Sequence, residues 1–483
     1  MSTNSTKLMA AGRVLERANA APDNSEGPSF KKEIIRDAND PTRLRFLHWK
    51  GGRYSIWPYT HKACPETKFA VRGDLQLPDS AKPFGNFQEL FSALGDTICK
   101  FVELSKDDAF LVSLYIISTW FPDCVKSVPY LWLVGPLGSG KSTLLKFLHC
   151  VCRRAILIGD VRPASLYKLS SLSPTLLIDE LEPDGSRTGA EIRRFLRIGN
   201  TPGVPAARNG QLFQTFSSKV ISSRQPPLDA ALASRAIVIR MLPTQRELLP
   251  LDRSNVATIA KEFQPRLLMY RLINYMNVKN SQVPFEKVRH LTPRMRDLVQ
   301  GLTAPLLGQP TIEDKLIAIL GEFDLDARIE RSLEPEWLVV EALFASWHKH
   351  IGSYFLVGGL CAQINSSLEF RGEDFRLKAR SVGGVLKSLG LRTRKLGNLG
   401  RGLTSTSAIG TTIHELAQRL GFDRRDFATL SGLEAGYGGS PCVLCEKFGL
   451  TAGLRFVDLQ TRPRCKPRVG ARLFDSAVCA FHA

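Results

Sequence analysis

Residues 129–143 read PYLWLVGPLGSGKST. Tyr130 to Val134 is a short apolar run with the length and residue types of a buried strand, and it stops at a glycine-rich turn. Beyond the turn, Lys141 to Cys152 carries apolar residues at helical spacing. Gly135, four further residues and then Gly140-Lys141-Ser142 fit G-x4-G-K-S/T, a phosphate-cradling loop in the strand-to-helix context that its chemistry needs. Gly138, Ser139 and Gly140 keep the turn small. Backbone N–H groups running into Lys141, Ser142 and Thr143 can then wrap a polyphosphate at the positive end of a helix. Lys141 is expected to reach the β- and γ-phosphates, and Ser142 to ligate Mg²⁺. A plain strand-turn-helix would explain the elements without explaining this string of residues.

Outward from the loop, a second strand is predicted over Ala155–Gly159 and a third over Thr175–Glu180, TLLIDE. An apolar strand ending in two carboxylates puts Asp179 where it can hold Mg²⁺, directly or through water, and Glu180 where it can polarise an attacking water. A solvated strand end is the plainer account of the same pair. The 38 residues from Lys141 to Asp179 leave room for one helix and one strand, so the two motifs are expected on neighbouring strands. Further strands are predicted over Lys219–Ser222 and Ile237–Met241, which makes five. The predicted fold class is therefore α/β, a P-loop core whose five-stranded parallel sheet is flanked by helices. Ser222 or Ser223 stands where a polar side chain can sense a γ-phosphate, and Arg235 precedes the fifth strand, where an arginine can reach a neighbouring subunit's nucleotide. Arg193, Arg194, Arg197 and Arg208 surround a Gly/Pro-rich loop, Asn200–Gln211. It reads either as a channel loop that grips phosphates or as a solvated helix face with a surface loop.

GPLGSGKST, LLIDE, KVISSRQ and DAALASR together resemble the helicase-like ATPases of bacterial mobile elements, phages and plasmids, in the AAA+ and superfamily III helicase neighbourhood; the resemblance covers roughly residues 85–300. It implies an AAA+ type core using ATP and Mg²⁺. It also implies that Arg235 is a trans-acting finger, and hence a homo-oligomeric ring, commonly a hexamer. Such families often end the fourth strand in Asn, where this chain has Ser222-Ser223-Arg224. Nucleotide kinases share the loop without a strict need for a glutamate after the metal-binding aspartate, so Asp179-Glu180 favours hydrolysis.

With 483 residues and 43% hydrophobic content the chain has room for several domains with real cores. The longest nearly apolar run, Ala109–Phe121, is too short to span a bilayer and carries Ser113, Ser118 and Thr119, so no membrane span is expected. The N-terminus has no apolar core of a signal peptide, which leaves the cytoplasm as the expected location. A net charge of +19 favours a polyanionic partner such as nucleic acid. Residues 1–45 are expected to be a disordered leader and 46–84 a small β element. The ATPase core with two N-terminal helices is expected over 85–245, a helical lid over 246–308, a helical linker and winged helix over 309–430, and a small zinc module over 431–483.

Arg371–Arg419 holds ten Lys and Arg against three acidic residues. Ala379–Leu389 reads as a helix ended by Gly390, Leu391–Lys395 as a strand, Asn398-Leu399-Gly400 as a turn and Arg401–Thr404 as a returning strand. Helix, strand, turn, strand is the layout of a winged helix, with Arg380 and Lys387 on the helix and Arg392, Arg394, Lys395 and Arg401 on the wing as candidate DNA contacts. The same layout also serves protein contacts. Cys442 and Cys445 form a C-x2-C knuckle that can hold Zn²⁺ if two more ligands close the site. Cys465 and Cys479 are the available cysteines downstream, with His482 beside them, and reduced, packed thiols are the alternative.

The expected function is ATP-driven translocation on, or unwinding of, single-stranded or duplex DNA, in replication of a mobile element. Two other classes stay open: a nucleotide-switched DNA-binding loader or initiator that does not unwind, and a protein remodeller or defence ATPase indifferent to DNA. No primase, nuclease or polymerase carboxylate constellation is evident in the remaining sequence.

Overall fold

The computed structural model describes residues 31–422, apart from residues 41, 51, 60–68, 71, 171, 182–185, 209, 228 and 349–352, together with 433–435, 442–450 and 454–456. Three antiparallel strands come first, β1 (Lys31–Arg36), β2 (Leu44–Lys50) and β3 (Arg53–Pro58), hydrogen-bonded in that order. β1 lies inside the stretch expected to be a disordered leader, and its ordering has a tertiary cause. Ile34 and Ile35 are buried, and the Glu33 carboxylate, also buried, accepts both oxygens' worth of hydrogen bonds from Arg153 at 3.0 Å and one from Arg271 at 2.6 Å. A strand reading KKEIIR has too short an apolar pattern to announce itself.

The central sheet contains β4 (Tyr130–Val134), β5 (Ala155–Ile158) and β6 (Thr175–Ile178). A hairpin of β7 (Ala206–Arg208) and β8 (Gln211–Phe213) follows, where a loop was expected, and then β9 (Lys219–Ser223) and β10 (Ala236–Arg240) complete the sheet. The five sheet strands are all parallel in the order β10-β4-β9-β6-β5. β9 therefore lies between the strand that feeds the glycine-rich loop and the strand that ends in Asp179-Glu180. The expectation that those two motifs sit on neighbouring strands is corrected: spacing along the chain gives the number of connecting elements, whereas a later strand can still insert between them.

Both faces of the sheet are covered, as an all-parallel sheet requires. Leu131 and Leu133 of β4 point to one core, with the helices Phe87–Phe101, Lys106–Ser118, Lys141–Val151 and Arg253–Lys279. Tyr130, Trp132 and Val134 point to the other, with the helices Pro163–Ser170 and Arg187–Ile198. Helix Phe87–Phe101 starts in a capping box between Asn86 and Glu89. Lys106–Ser118 is buried along nearly its whole length rather than amphipathic. Helix Arg253–Lys279, expected as part of a lid, shares the first core through Phe263, Leu267 and Leu268, and its Gln264 Nε2 donates to the Cys150 carbonyl at 2.9 Å.

The chain divides into two compact units between Asp324 and Leu325, within helix Pro310–Arg331. The second unit runs helix Pro335–His348, β11 (Tyr354–Leu356), helix Val357–Phe370, helix Ala379–Ser388, β12 (Arg394–Lys395), β13 (Arg401–Thr404) and helix Ser407–Leu420. Its sheet is antiparallel in the order β11-β13-β12. β12 is shorter than the strand expected over Leu391–Lys395, because Leu391 turns into the core and only Arg394 and Lys395 pair with β13. A last pair, β14 (Leu433–Ala435) with β15 (Leu454–Phe456), brackets a short helix, Val443–Lys447. Among the described residues no helix is long and apolar enough to cross a membrane.

Candidate functional site

The turn after β4 is built by sterics. A Cβ on Gly135 would stand 2.2 Å from the Met241 carbonyl oxygen, so the chain can pass β10 only without one. Gly138 and Gly140 adopt φ of +76° and +85°, the left-handed region that glycine enters freely. Gly140 leads into helix Lys141–Val151, whose first turn has neither a side-chain cap nor an acidic residue. The N–H groups of Lys141, Ser142 and Thr143 are thus left to face an anion. Lys141 Nζ bends over the loop and donates to the carbonyls of Gly135 at 2.6 Å and Pro136 at 2.7 Å, so its charge lies above the same turn as Ser139.

The carboxylates stand at the same edge of the sheet, beyond the C-terminal end of β6. Asp179 N–H donates to Ile158 of β5, and Leu181 N–H donates to Ser222 of β9, so the chain crosses from one neighbour to the other through Glu180. Glu180 takes φ of +52°, unusual for a residue with a side chain. Its N–H donates to Ser222 Oγ at 3.0 Å, and Ser222 Oγ donates to Asp179 Oδ1 at 2.5 Å. Of the two serines considered from sequence, Ser222 is therefore the one that touches the acidic pair. Ser223, the other candidate for catalysis from sequence, has its hydroxyl engaged elsewhere: it accepts from Trp132 Nε1 at 2.7 Å and donates to the Gln225 carbonyl. Alternation along β9 turns the two hydroxyls to opposite faces. A cleft of about 230 Å³ opens beside the pair, lined by Asp160, Asp179, Glu180, Thr188 and Arg193 over a floor of Trp132.

Arg235 immediately precedes β10, which pairs in register with β4 from Ala236 opposite Tyr130 to Arg240 opposite Val134. It stands at the opposite edge of the sheet from the loop, about 15 Å away at the usual rise per strand residue. Within its own chain its guanidinium donates to Asn200 Oδ1 at 3.1 Å and to the Ala231 carbonyl.

Of the basic residues between β6 and β9, Arg208 lies on the Tyr167 ring, 5.1 Å from its centroid, and 3.8 Å from the Glu191 carboxylate, so it braces the hairpin. Leu212 on the returning strand of that hairpin is 72% exposed. In the second unit Arg380, Lys387, Arg392, Arg394, Lys395 and Arg401 are all exposed. Arg394 donates to Thr404 Oγ1 at 2.8 Å and Arg401 to the Thr393 carbonyl at 2.9 Å, which keeps both guanidiniums along the β12-β13 ribbon.

A separate cluster gathers His348, His414, Cys442 and Cys445, with one ligand atom from each lying within 4.8 Å of every other. This His2Cys2 set could hold a metal such as zinc. Cys442 and Cys445 are the two ligands expected from sequence; Cys465 and Cys479, expected to complete the site, lie outside the described residues, and among the described residues His348 and His414 join the pair. No local spacing betrays the histidines, since one ends a helix 94 residues before Cys442 and the other lies inside a helix. Burial keeps the His414 imidazole neutral, pushed down to about 4, and pushes the Cys445 thiol up to about 12.

No protein family and no curated protein matches the chain.

Proposed function

We propose that the protein is an ATP-hydrolysing motor that translocates on or unwinds DNA. The observation that carries the reading is the end of β9. Gly135 N–H donates to the Ser223 carbonyl at 3.4 Å from one side, and Glu180 and Leu181 N–H groups donate to Ser222 from the other. The glycine-rich loop and the acidic pair are thereby held two strand spacings apart, roughly 10 Å, on one edge of a parallel sheet. That span suits a triphosphate with its metal, and such edges are where parallel α/β sheets bind ligands.

In this reading the loop N–H groups and Lys141 hold the phosphates, Ser142 and Asp179 hold Mg²⁺, and Glu180 orients the water, with Ser222 fixing both carboxylate-bearing residues. The ion would supply charge neutralisation to the phosphates. Arg235, out of reach of its own loop, serves the nucleotide of an adjacent copy, which makes the assembly a ring or chain of identical subunits. The second unit, ordered helix, strand, helix, helix, strand, strand, helix, is read as a winged helix that presents helix Ala379–Ser388 and the β12-β13 ribbon to DNA. The AAA+ assignment and the setting in mobile-element replication rest on the sequence resemblance.

The test is the steady-state ATPase rate with and without single-stranded and duplex DNA, beside a Glu180→Gln control. Stimulation by DNA that vanishes in the control supports a motor and leads to strand-displacement assays. A rate indifferent to every DNA overturns the motor reading in favour of a protein remodeller.

A further inference from the structure

We propose that His348, His414, Cys442 and Cys445 bind one structural Zn²⁺ ion that fastens the Cys442–Leu450 segment to the helical core of the second unit. The inference is independent of the nucleotide reading. A tetrahedral zinc with Zn–S near 2.3 Å and Zn–N near 2.0–2.1 Å requires ligand-to-ligand edges of about 3.3–3.8 Å. His348 Nε2 lies 3.1 Å from Cys445 Sγ, and His414 Nε2 lies 3.4 Å from Cys442 Sγ. All four ligand atoms fall within 4.8 Å of one another, so closing on an ion takes only small side-chain movements.

The orientation of the imidazoles is independent support. His348 Nδ1 lies 2.8 Å from the Phe344 carbonyl, and His414 Nδ1 lies 2.7 Å from the Gly410 carbonyl. Each carbonyl takes a proton from Nδ1, which leaves the lone pair on Nε2, the atom that faces sulfur in both residues. Outer hydrogen bonds of this kind are how metal-binding histidines are held in one tautomer and one ring orientation. Gly410 leaves room for the Trp347 ring, which a Cβ there would approach within 2.2 Å and which packs edge-on to His414. Phe344 and Phe448 stand on other sides of His414.

The donor set selects the metal and its role. Two thiolates and two imidazoles in a tetrahedral arrangement suit zinc. Four protein ligands leave no open position, which marks a structural site rather than a catalytic one. The two thiols release their protons to solvent on binding, and two thiolates with Zn²⁺ make an electrically neutral centre that can be buried. The ligands come from three elements: the end of helix Pro335–His348, the middle of helix Ser407–Leu420, and the turn around helix Val443–Lys447. The short last element has few apolar groups of its own, chiefly Cys445, Phe448 and Leu450 in the core of this unit. A metal linking ligands so far apart in sequence supplies what that small contact area does not.

The test uses the full chain, loaded with Zn²⁺ under reducing conditions and desalted. One zinc per chain is expected; less than a tenth of that overturns the proposal, as does recovery of a Cys442–Cys445 disulfide from protein kept reduced. Co²⁺ in place of zinc should give the strong visible absorption of a four-coordinate ion with thiolate charge transfer, and the weak spectrum of a six-coordinate ion overturns the site. The paired substitution Cys442→Ser/Cys445→Ser should lower retained zinc at least tenfold, and Cys465→Ser/Cys479→Ser should leave it unchanged. The reverse pattern overturns the ligand set, and the cobalt spectrum of the unsubstituted chain decides the matter if the first pair fails to fold.

Discussion

The Ser222 hydroxyl donates to the Asp179 carboxylate at 2.5 Å while accepting the N–H of Glu180 at 3.0 Å. One side chain therefore fixes both members of the acidic pair, one through its carboxylate and the other through its backbone. Glu180 needs that support. A left-handed backbone on a residue with a Cβ costs about 1–3 kcal/mol, and such conformations persist where surrounding bonds over-determine them.

If the chain is the ATPase proposed above, removing the Ser222 hydroxyl should loosen the pair without touching the glycine-rich loop. Ser222→Ala is expected to lower kcat for ATP about 10- to 100-fold, the usual range for a residue that orients a ligand-bearing partner, with KM changed less than about threefold. Ser223→Ala, which removes a bond to Trp132 instead, should lower thermal stability by about 1 kcal/mol and leave kcat nearly intact. A larger loss of kcat from Ser223→Ala than from Ser222→Ala would reverse the assignment.

Arg235 makes a prediction about assembly. If Arg235 acts in trans as proposed above, Arg235→Ala and Glu180→Gln should each be inactive alone, yet mixed oligomers should regain part of the activity. An interface between the two pairs the intact Glu180 of one subunit with the intact Arg235 of its neighbour. Titrating one variant against the other and following ATP hydrolysis measures this. Absence of rescue in mixtures that demonstrably co-assemble would reduce Arg235 to its bonds with Asn200 and Ala231, a brace within one chain.

Acid stability tests the buried charge cluster that ties β1 to the central core. Burial pushes the Glu33 carboxyl up, but Arg153, Arg271 and Arg154 outweigh it and hold the group at about 2, against an ordinary value of 4.5. A carboxyl depressed on folding contributes stability that is complete above about pH 4.5 and is lost as the pH falls towards 2. The difference amounts to about 3 kcal/mol. Glu33→Gln should remove that acid limb from a plot of unfolding free energy against pH. It should also destabilise the protein by about 3–5 kcal/mol at neutral pH, because three arginines lose a buried partner. An unchanged acid limb in the variant would show that other carboxylates govern it.

The central sheet was legible in the sequence because most of its strands are apolar runs with sharp boundaries, and the glycine-rich string admits few other readings. Strand order was not, since Lys219–Ser223 gives no sign that it inserts between β4 and β6. Lys219 illustrates a second limit. A lysine at the start of a strand reads as a solvated charge, yet it is fully buried, its Nζ donating to the carbonyls of Gly199, Thr215 and Ser217 at 2.9–3.1 Å. β1 was missed because its order depends on Arg153 and Arg271, far away in the chain. His348 and His414 were missed for the same reason: ligands that converge only through packing of three elements carry no spacing to read. The hairpin β7-β8 was hidden by its own turn chemistry, in which Gly203, Gly210 and Pro202 look like an unstructured loop.

The second unit presents its basic residues in a way that separates two uses. Helix Ala379–Ser388 buries Val382 and Leu386 and turns Arg380, Ser381, Gly384, Lys387 and Ser388 outward. Nothing stands within 4 Å of where a Gly384 side chain would begin, so that face is low between its two cations and a groove wall can come close to the helix backbone. Arg392, Arg394, Lys395 and Arg401 continue the charge onto the ribbon. If these cations meet phosphates, each one removed lowers the slope of log affinity against log salt concentration by about 0.9 on duplex and about 0.7 on single strands. Arg380→Ala/Lys387→Ala should therefore flatten the duplex slope by nearly two and weaken binding at low salt across all sequences, and Arg394→Ala/Lys395→Ala should do the same. Gly384→Gln keeps every charge while filling the low face; it should weaken duplex binding with the salt slope unchanged if the helix enters a groove. Affinity and slope that ignore all three variants would assign this face to a protein partner.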